Sequence, residues 1–136
     1  MSETYVLLVG AACEARQESY SPYSGFRVGA ALLCADGRVV TGTNVENASF
    51  GLSICAERSA VFAAVAAGAK AVTAIAICAD GPDPTPPCGA CRQVLYEKES
   101  QGGESMELIL YGSKKIQVVK RVTDLLPLPF KLKLSS

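Results

Sequence analysis

Ser53-Ile54-Cys55-Ala56-Glu57-Arg58 and Pro87-Cys88-Gly89-Ala90-Cys91 are the two stretches around which this sequence is organised, and each reads as the opening of a helix. Cys88 and Cys91 are three apart, so on a helix their side chains share a face. Cys55 and Glu57 are two apart, so on a regular helix they diverge. That suits a metal ligand and a reacting group that approach one bound molecule from different sides. The pattern predicts a zinc ion held by Cys55, Cys88 and Cys91, with a fourth position left open and Glu57 moving protons beside it.

The residues that are missing narrow the chemistry further. The chain has no histidine, which excludes Ser-His-Asp and Cys-His mechanisms. Any metal site must then use Cys, Asp or Glu, and a carboxylate tuned by its surroundings is the expected proton carrier near neutral pH. Three thiolates on Zn²⁺ leave a net negative charge, so a nearby cation is required. Arg58, adjoining Glu57 on a helix poor in charge, is read as that cation. Arg92 reads either as a donor to the sulfurs or as a solvated surface arginine.

Outward from the two stretches, residues 3 to about 19 read as an amphipathic helix, with Tyr5, Leu8, Val9 and Ala12 at helical spacing. Cys13 lies near that apolar stripe and is read as core. Pro22 and Ser24-Gly25 mark a loop. Phe26 to Leu33 reads as a buried strand. Asp36-Gly37 is a hairpin signal, and Arg38 to Asn44 is the returning strand. Asn44-Val45-Glu46-Asn47 is either a ligand-binding rim or a loop satisfying its own backbone.

Ser53 is the expected N-cap of a helix from about Ile54 to Ala67, with Gly68 ending it. Val72 to Ala79 is a nearly unbroken apolar run, as expected of a strand covered on both faces. The proline-rich segment 80–87 is a rigid connector. A third helix is predicted from about Cys88 to Glu97, followed by strands at Met106 to Tyr111 and Ile116 to Val119. A short helical turn around Thr123 to Leu126 stops at Pro127. This order predicts a single domain over residues 1–136, a three-layer α/β/α arrangement with a mixed sheet of about five strands and helices on both faces.

Lys+Arg and Asp+Glu are both 13, and 49% of residues are hydrophobic. A neutral chain argues against binding nucleic acid through its phosphates and permits self-association. The apolar run from Tyr5 to Cys13 follows Glu3 and lacks a positive leading region, so it does not read as a secretory signal. No stretch is long enough to span a membrane. A cytoplasmic location is expected, and there six cysteines read as thiols or metal ligands rather than a disulfide framework. Cys34 and Cys78 are read as small buried residues of strands.

A lone Cys-x-x-Cys has redox, structural-zinc and iron–sulfur readings. Cys-Ala-Glu upstream of Pro-Cys-x-x-Cys matches the general pattern of zinc deaminases. Taken with Ser21-Pro22-Tyr23-Ser24-Gly25-Phe26-Arg27-Val28-Gly29-Ala30-Ala31, Asn44-Val45-Glu46-Asn47, Pro87-Cys88-Gly89-Ala90-Cys91-Arg92-Gln93 and the Leu125-Leu126-Pro127 tail with Phe130, the chain closely resembles the small homotetrameric cytidine deaminases.

The resemblance implies a cytidine-deaminase-like fold and zinc-dependent hydrolysis of cytidine and deoxycytidine to uridine and deoxyuridine, in pyrimidine salvage. Cys55, Cys88 and Cys91 would bind zinc. Glu57 would pass protons from water to N3 of the pyrimidine and to the leaving ammonia. The Ala56 backbone would hold the base, Phe26 would pack against it, and Asn44 and Glu46 would bond the ribose 3′-hydroxyl. Arg58 would donate to the thiolates. Neighbouring subunits would complete each site, with Phe130 reaching across. Phe50 stands where related chains often carry tyrosine, and is likewise expected at a subunit boundary.

Two other readings compete. Blasticidin-type deaminases share the zinc site, but the Asn44 to Asn47 stretch favours an ordinary ribonucleoside. A non-catalytic zinc protein would need Cys78 as a fourth ligand.

Overall fold

The structure, a computed structural model, describes residues 1–132. Helix α1 (Glu3–Arg16) starts where Ser2 accepts a hydrogen bond from the Tyr5 amide. It is followed by β1 (Val28–Cys34), β2 (Val39–Thr43), a 3₁₀ turn at Phe50–Leu52 and α2 (Ala56–Ala66). Then come β3 (Val72–Ala79), α3 (Gly89–Gly102), β4 (Glu107–Tyr111), β5 (Ile116–Val119) and a 3₁₀ turn at Val122–Asp124.

The five strands form one sheet in the order β2-β1-β3-β4-β5. Only β3 and β4 run parallel, with Ile75 opposite Leu108 and Ile77 opposite Leu110. Parallel neighbours need a crossover, and α3 with its proline-rich approach is that crossover. The sheet is therefore mixed, and helices cover both faces as expected.

Alternation along β3 shows how the faces divide. Ala74, Ala76 and Cys78 join Leu8, Val9 and Ala12 in a cluster beneath α1. Ile75 and Ile77 join Ala60, Ala64, Leu95 and Leu108 beneath α2 and α3. Successive strand side chains point to opposite faces, so a strand covered on both sides is apolar throughout.

Two glycines set how closely the layers approach. A Cβ at Gly29 would overlap the Ala12 carbonyl of α1, and one at Gly42 would overlap the backbone of α2 at Ala60. With 0% exposure at Ala12 and Ala60 as well, both helices lie almost directly on the sheet.

Several boundaries differ from the sequence expectation for physical reasons. The N-cap of α2 is Cys55, not Ser53. The turn at Phe50–Leu52 displaces Ser53, whose hydroxyl accepts from the Asn47 amide at 3.0 Å. Helix α3 continues to Gly102 because Lys98 and Glu99 find buried partners. Lys98 Nζ donates to the Ala69 carbonyl at 2.8 Å, and Glu99 Oε2 accepts from the Met106 and Val122 amides at 2.8 and 2.9 Å. Buried charge is tolerated only with such partners.

The cysteine expectation also needs correction. Cys13 of α1 and Cys78 of β3 form a disulfide, with Cα atoms 5.2 Å apart. Both side chains lie on the α1 side of the sheet, where the face alternation brings them together. Cys34 is free and buried, as expected.

Candidate active site

Helix α2 begins at Ala56, with Cys55 as N-cap, and α3 begins at Gly89, with Cys88 as N-cap. Neither cap side chain accepts a hydrogen bond from the backbone N–H groups of its own helix. Both helices lie on the same face of the sheet and start at the same place. The sulfurs of Cys55, Cys88 and Cys91 lie within 4.8 Å of one another, and those of Cys55 and Cys88 are 3.9 Å apart. Two thiolates on a tetrahedral zinc, with Zn–S about 2.3 Å, sit about 3.8 Å apart. The cluster therefore fits zinc in geometry as well as in donor type.

Charge supports the same fit. Arg58 Nη2 donates to Cys55 Sγ at 3.4 Å. Arg58 Nε is buried without a hydrogen-bond partner among the described residues. A guanidinium so placed is balanced by an anionic cluster. The Cys91 thiol beside it pulls the Cys55 thiol down to about 5, overcoming burial, and Arg58 adds to the pull. Cys91 itself is pushed up, first by its neighbour Cys55 and then by burial. One thiolate is thus already favoured before a metal enters, as expected at a helix N-terminus.

The cluster opens on a cleft of about 500 Å³. Cys55 and Cys88 line it, while Cys91 is wholly buried behind them. Glu57 also lines the cleft and is only 6% exposed. Burial raises the Glu57 carboxyl above the ordinary range, and the Cys55 thiolate raises it further. Cys78, bonded to Cys13 beneath α1, is on the far side of the sheet. A closed four-cysteine site including Cys78 is therefore excluded by the fold.

The rest of the cleft gathers the other sequence candidates. Phe26, Asn44, Glu46, Phe50, Ala56 and Arg58 all line it. Asn44 also ties down the start of β1, because its Oδ1 accepts from the Val28 amide at 2.9 Å and its Nδ2 donates to the Phe26 carbonyl at 2.8 Å. Glu46 clasps the preceding loop, with Oε1 accepting from the Tyr23 and Ser24 amides at 3.0 and 3.1 Å. The Ser24 hydroxyl bonds Oε2 and holds the Glu46 carboxyl below its usual range, despite some burial. Asn44 and Glu46 thus brace the preceding loop and strand start while lining the cleft.

Phe50 is 75% exposed and meets Tyr23 edge-on, with ring centroids 6.0 Å apart. Phe130 does not line this cleft. It is 69% exposed, and its backbone is bound to Gln93. Arg92 takes neither of its expected roles. It donates to two carbonyls, Pro87 at 2.8 Å and Leu125 at 2.9 Å.

Ser24, Val28, Ser53 and Ile54, from the quoted motifs, also line the wall, as do Thr85 and Pro86 from the connector and Ile77 of β3, which had not been singled out in the sequence. The connector's position between metal ligands was the available signal for Thr85 and Pro86. At the same strand ends, Arg27 holds Asp80 through Nε at 3.1 Å, Nη2 at 3.2 Å and its amide at 2.9 Å.

Comparison with known proteins places this geometry. Residues 2–101 match the family described as the cytidine and deoxycytidylate deaminase zinc-binding region. A cytidine deaminase of Halalkalibacterium halodurans is 56% identical over 91 residues, covering 67% of this chain and 69% of that protein. A cytidine deaminase of Mycobacterium tuberculosis is 46% identical over 127 residues, covering 93% of this chain and 89% of the other. The crystal structure of cytidine deaminase from Burkholderia pseudomallei superposes with a TM-score of 0.84 at 44% identity, covering 96% of this chain and 100% of that one. With its three-thiol site, buried glutamate and mixed five-stranded sheet, the chain belongs to the cytidine and deoxycytidylate deaminase family of zinc-binding hydrolases.

Proposed function

We propose that the protein converts cytidine and deoxycytidine to uridine and deoxyuridine with release of ammonia, as part of pyrimidine salvage. The observation that carries this reading is a buried carboxyl with a raised pKa, Glu57, sharing a cleft with three converging thiols. When bound, zinc supplies a Lewis acid that makes a water acidic near neutral pH.

The protein's own groups do the rest. Glu57 is the catalytic residue. Burial keeps its affinity for a proton high enough to accept one from water and release it to the pyrimidine. It first protonates N3 and then the departing amine. The C4–O bond forms, the C4–N bond breaks, and water is consumed as ammonia leaves. The low-dielectric cleft strengthens these contacts by limiting water.

Binding follows from the other walls. The Ala56 N–H, one of the free donors of the first turn of α2, faces the base. Phe26 packs against the ring. Asn44 retains one N–H, and Glu46 retains acceptor capacity, for the ribose 3′-hydroxyl. Arg58 acts through the sulfurs, offsetting their charge.

The protein acts as a single domain and works in the cytoplasm as a homotetramer, neighbouring copies meeting at Phe50 and Phe130. No described helix is long and apolar enough to cross a membrane. Exposed Phe50 and Phe130 at 75% and 69%, with Phe62 at 51%, give apolar surface for copies to cover.

An absorbance assay of cytidine and deoxycytidine, with zinc quantified on the same sample, tests the activity. Turnover proportional to zinc content is expected. A zinc-replete sample inert toward both nucleosides would overturn the reading. Light scattering tests the tetramer, and a monomeric active enzyme would remove the subunit placement.

A further inference from the structure

The first turn of α3 does more than supply Cys91. Arg92 and Gln93, the next two residues, both reach the segment 125–130. Arg92 holds its start by donating to the Leu125 carbonyl at 2.9 Å, while Arg92 Nε bonds the Pro87 carbonyl at 2.8 Å, next to Cys88. Gln93 holds its end. The carboxamide Nε2 donates to the Phe130 carbonyl at 2.9 Å, and Oε1 accepts from the Phe130 amide at 3.3 Å.

A carboxamide carries the same donor and acceptor as a peptide unit. Bonding both backbone groups of one residue therefore fixes that residue's position and also the direction of its chain. Between the two anchors, Leu128 lies at φ 53° with 98% exposure, flanked by Pro127 and Pro129. A leucine in the left-handed region persists when its surroundings over-determine the backbone. Leu128 is almost fully exposed and has nothing packed on it to do so. The turn is bounded by the two flanking prolines and by the anchors at Leu125 and Phe130.

We propose that Gln93 is a positioning residue: its two-point clamp on Phe130 sets the 125–130 segment, and with it the Phe130 ring, in fixed relation to the turn that carries the metal-binding thiols. The link to catalysis rests on the placement of Phe130 proposed above. The clamp itself does not.

The test uses the zinc-loaded, full-length protein and the variant Gln93→Met. Methionine keeps the length, helix preference and packing of the side chain but removes both hydrogen bonds. Hydrogen exchange at the Phe130 amide is expected to quicken about tenfold, as fits the loss of two exposed neutral hydrogen bonds. Zinc content should be unchanged. The KM for cytidine should rise while kcat stays near the wild-type value. Gln93→Glu keeps the acceptor and loses the donor, so its exchange rate should fall between the two.

Exchange at Phe130 equal to wild type in Gln93→Met would overturn the clamp. Phe130→Ala separates the two readings. Faster exchange in Gln93→Met, with an unchanged KM in both Gln93→Met and Phe130→Ala, would support the clamp and overturn the placement of Phe130.

Discussion

Arg58 Nη2 donates to Cys55 Sγ at 3.4 Å, across a single turn at the start of α2. The ligand and its counter-charge therefore come from one rigid element, and no loop motion can separate them. Removing the charge while keeping the side chain's bulk should weaken the metal site and leave the fold intact. Arg58→Gln is expected to lose zinc to a competing chelator about tenfold more readily, the low end for groups that support metal ligands. Zinc retention equal to wild type would show that the thiolates need no such cation.

Glu57→Gln keeps the shape and burial of the side chain but cannot accept a proton. It should bind zinc normally, melt within a few degrees of wild type and lose turnover by at least about 10²–10⁴-fold, the usual contribution of a positioned acid–base group. Near-normal turnover at full zinc content would sink the assigned role. Because burial opposes its ionisation, removing the carboxyl is not expected to destabilise the fold.

Cys13 and Cys78 close a loop across 65 residues on the face opposite the metal cluster. Replacing both with serine should leave zinc binding and turnover in place. Under non-reducing conditions it should lower unfolding free energy by about 2–4 kcal/mol. Urea unfolding with and without reductant measures this. Equal stability in the two conditions would mean the bond contributes nothing. Loss of zinc in the double variant would revive Cys78 as a ligand.

Asp80 gives the clearest pH signature. Burial works to raise its pKa, but the hydrogen bonds and charge of Arg27, helped by Arg16, prevail and lower it. A depressed carboxyl stabilises the folded state above its unfolded pKa, and that stability disappears as pH falls through the folded value. Asp80→Asn should therefore cost about 1 kcal/mol at pH 7, a modest figure for a partly solvated pair. The difference from wild type should shrink to nothing in acid, below the ordinary aspartate range near 3.8. Denaturant unfolding across that range checks it, and a pH-independent difference would mean the pair acts by shape alone.

Much of the architecture is legible in residue order because local signals coincide with tertiary demand. Val72–Ala79 is apolar on both faces, and β3 occupies that stretch with no shift. Asp36-Gly37 turns the hairpin, with Gly37 at φ 93°. The three-thiol cluster that fits zinc is legible because two helix starts carry the same rare residue type.

The misreadings arise where a partner far along the chain decides the outcome. Nothing near Cys13 indicates that Cys78 will lie beneath it until the two faces of β3 are assigned. Nothing near Glu99 announces the amides of Met106 and Val122, so α3 reads as ending early. Arg92 follows a ligand and so invites a role at the sulfurs. It reaches Leu125 instead, across a separation that spacing alone does not reveal.

Cys55 and Cys88 stand at the N-caps of α2 and α3, and neither side chain caps its helix. Ordinarily a polar side chain at that position closes the helix end, and losing it costs about 1 kcal/mol. A zinc ion held by both sulfurs would instead tie the two helix starts to one point, as a shared bolt through adjoining beams. A compound that extracts the metal would therefore not merely silence the enzyme. It would free two helix ends together, and the chelated protein should present itself to proteases as a substrate.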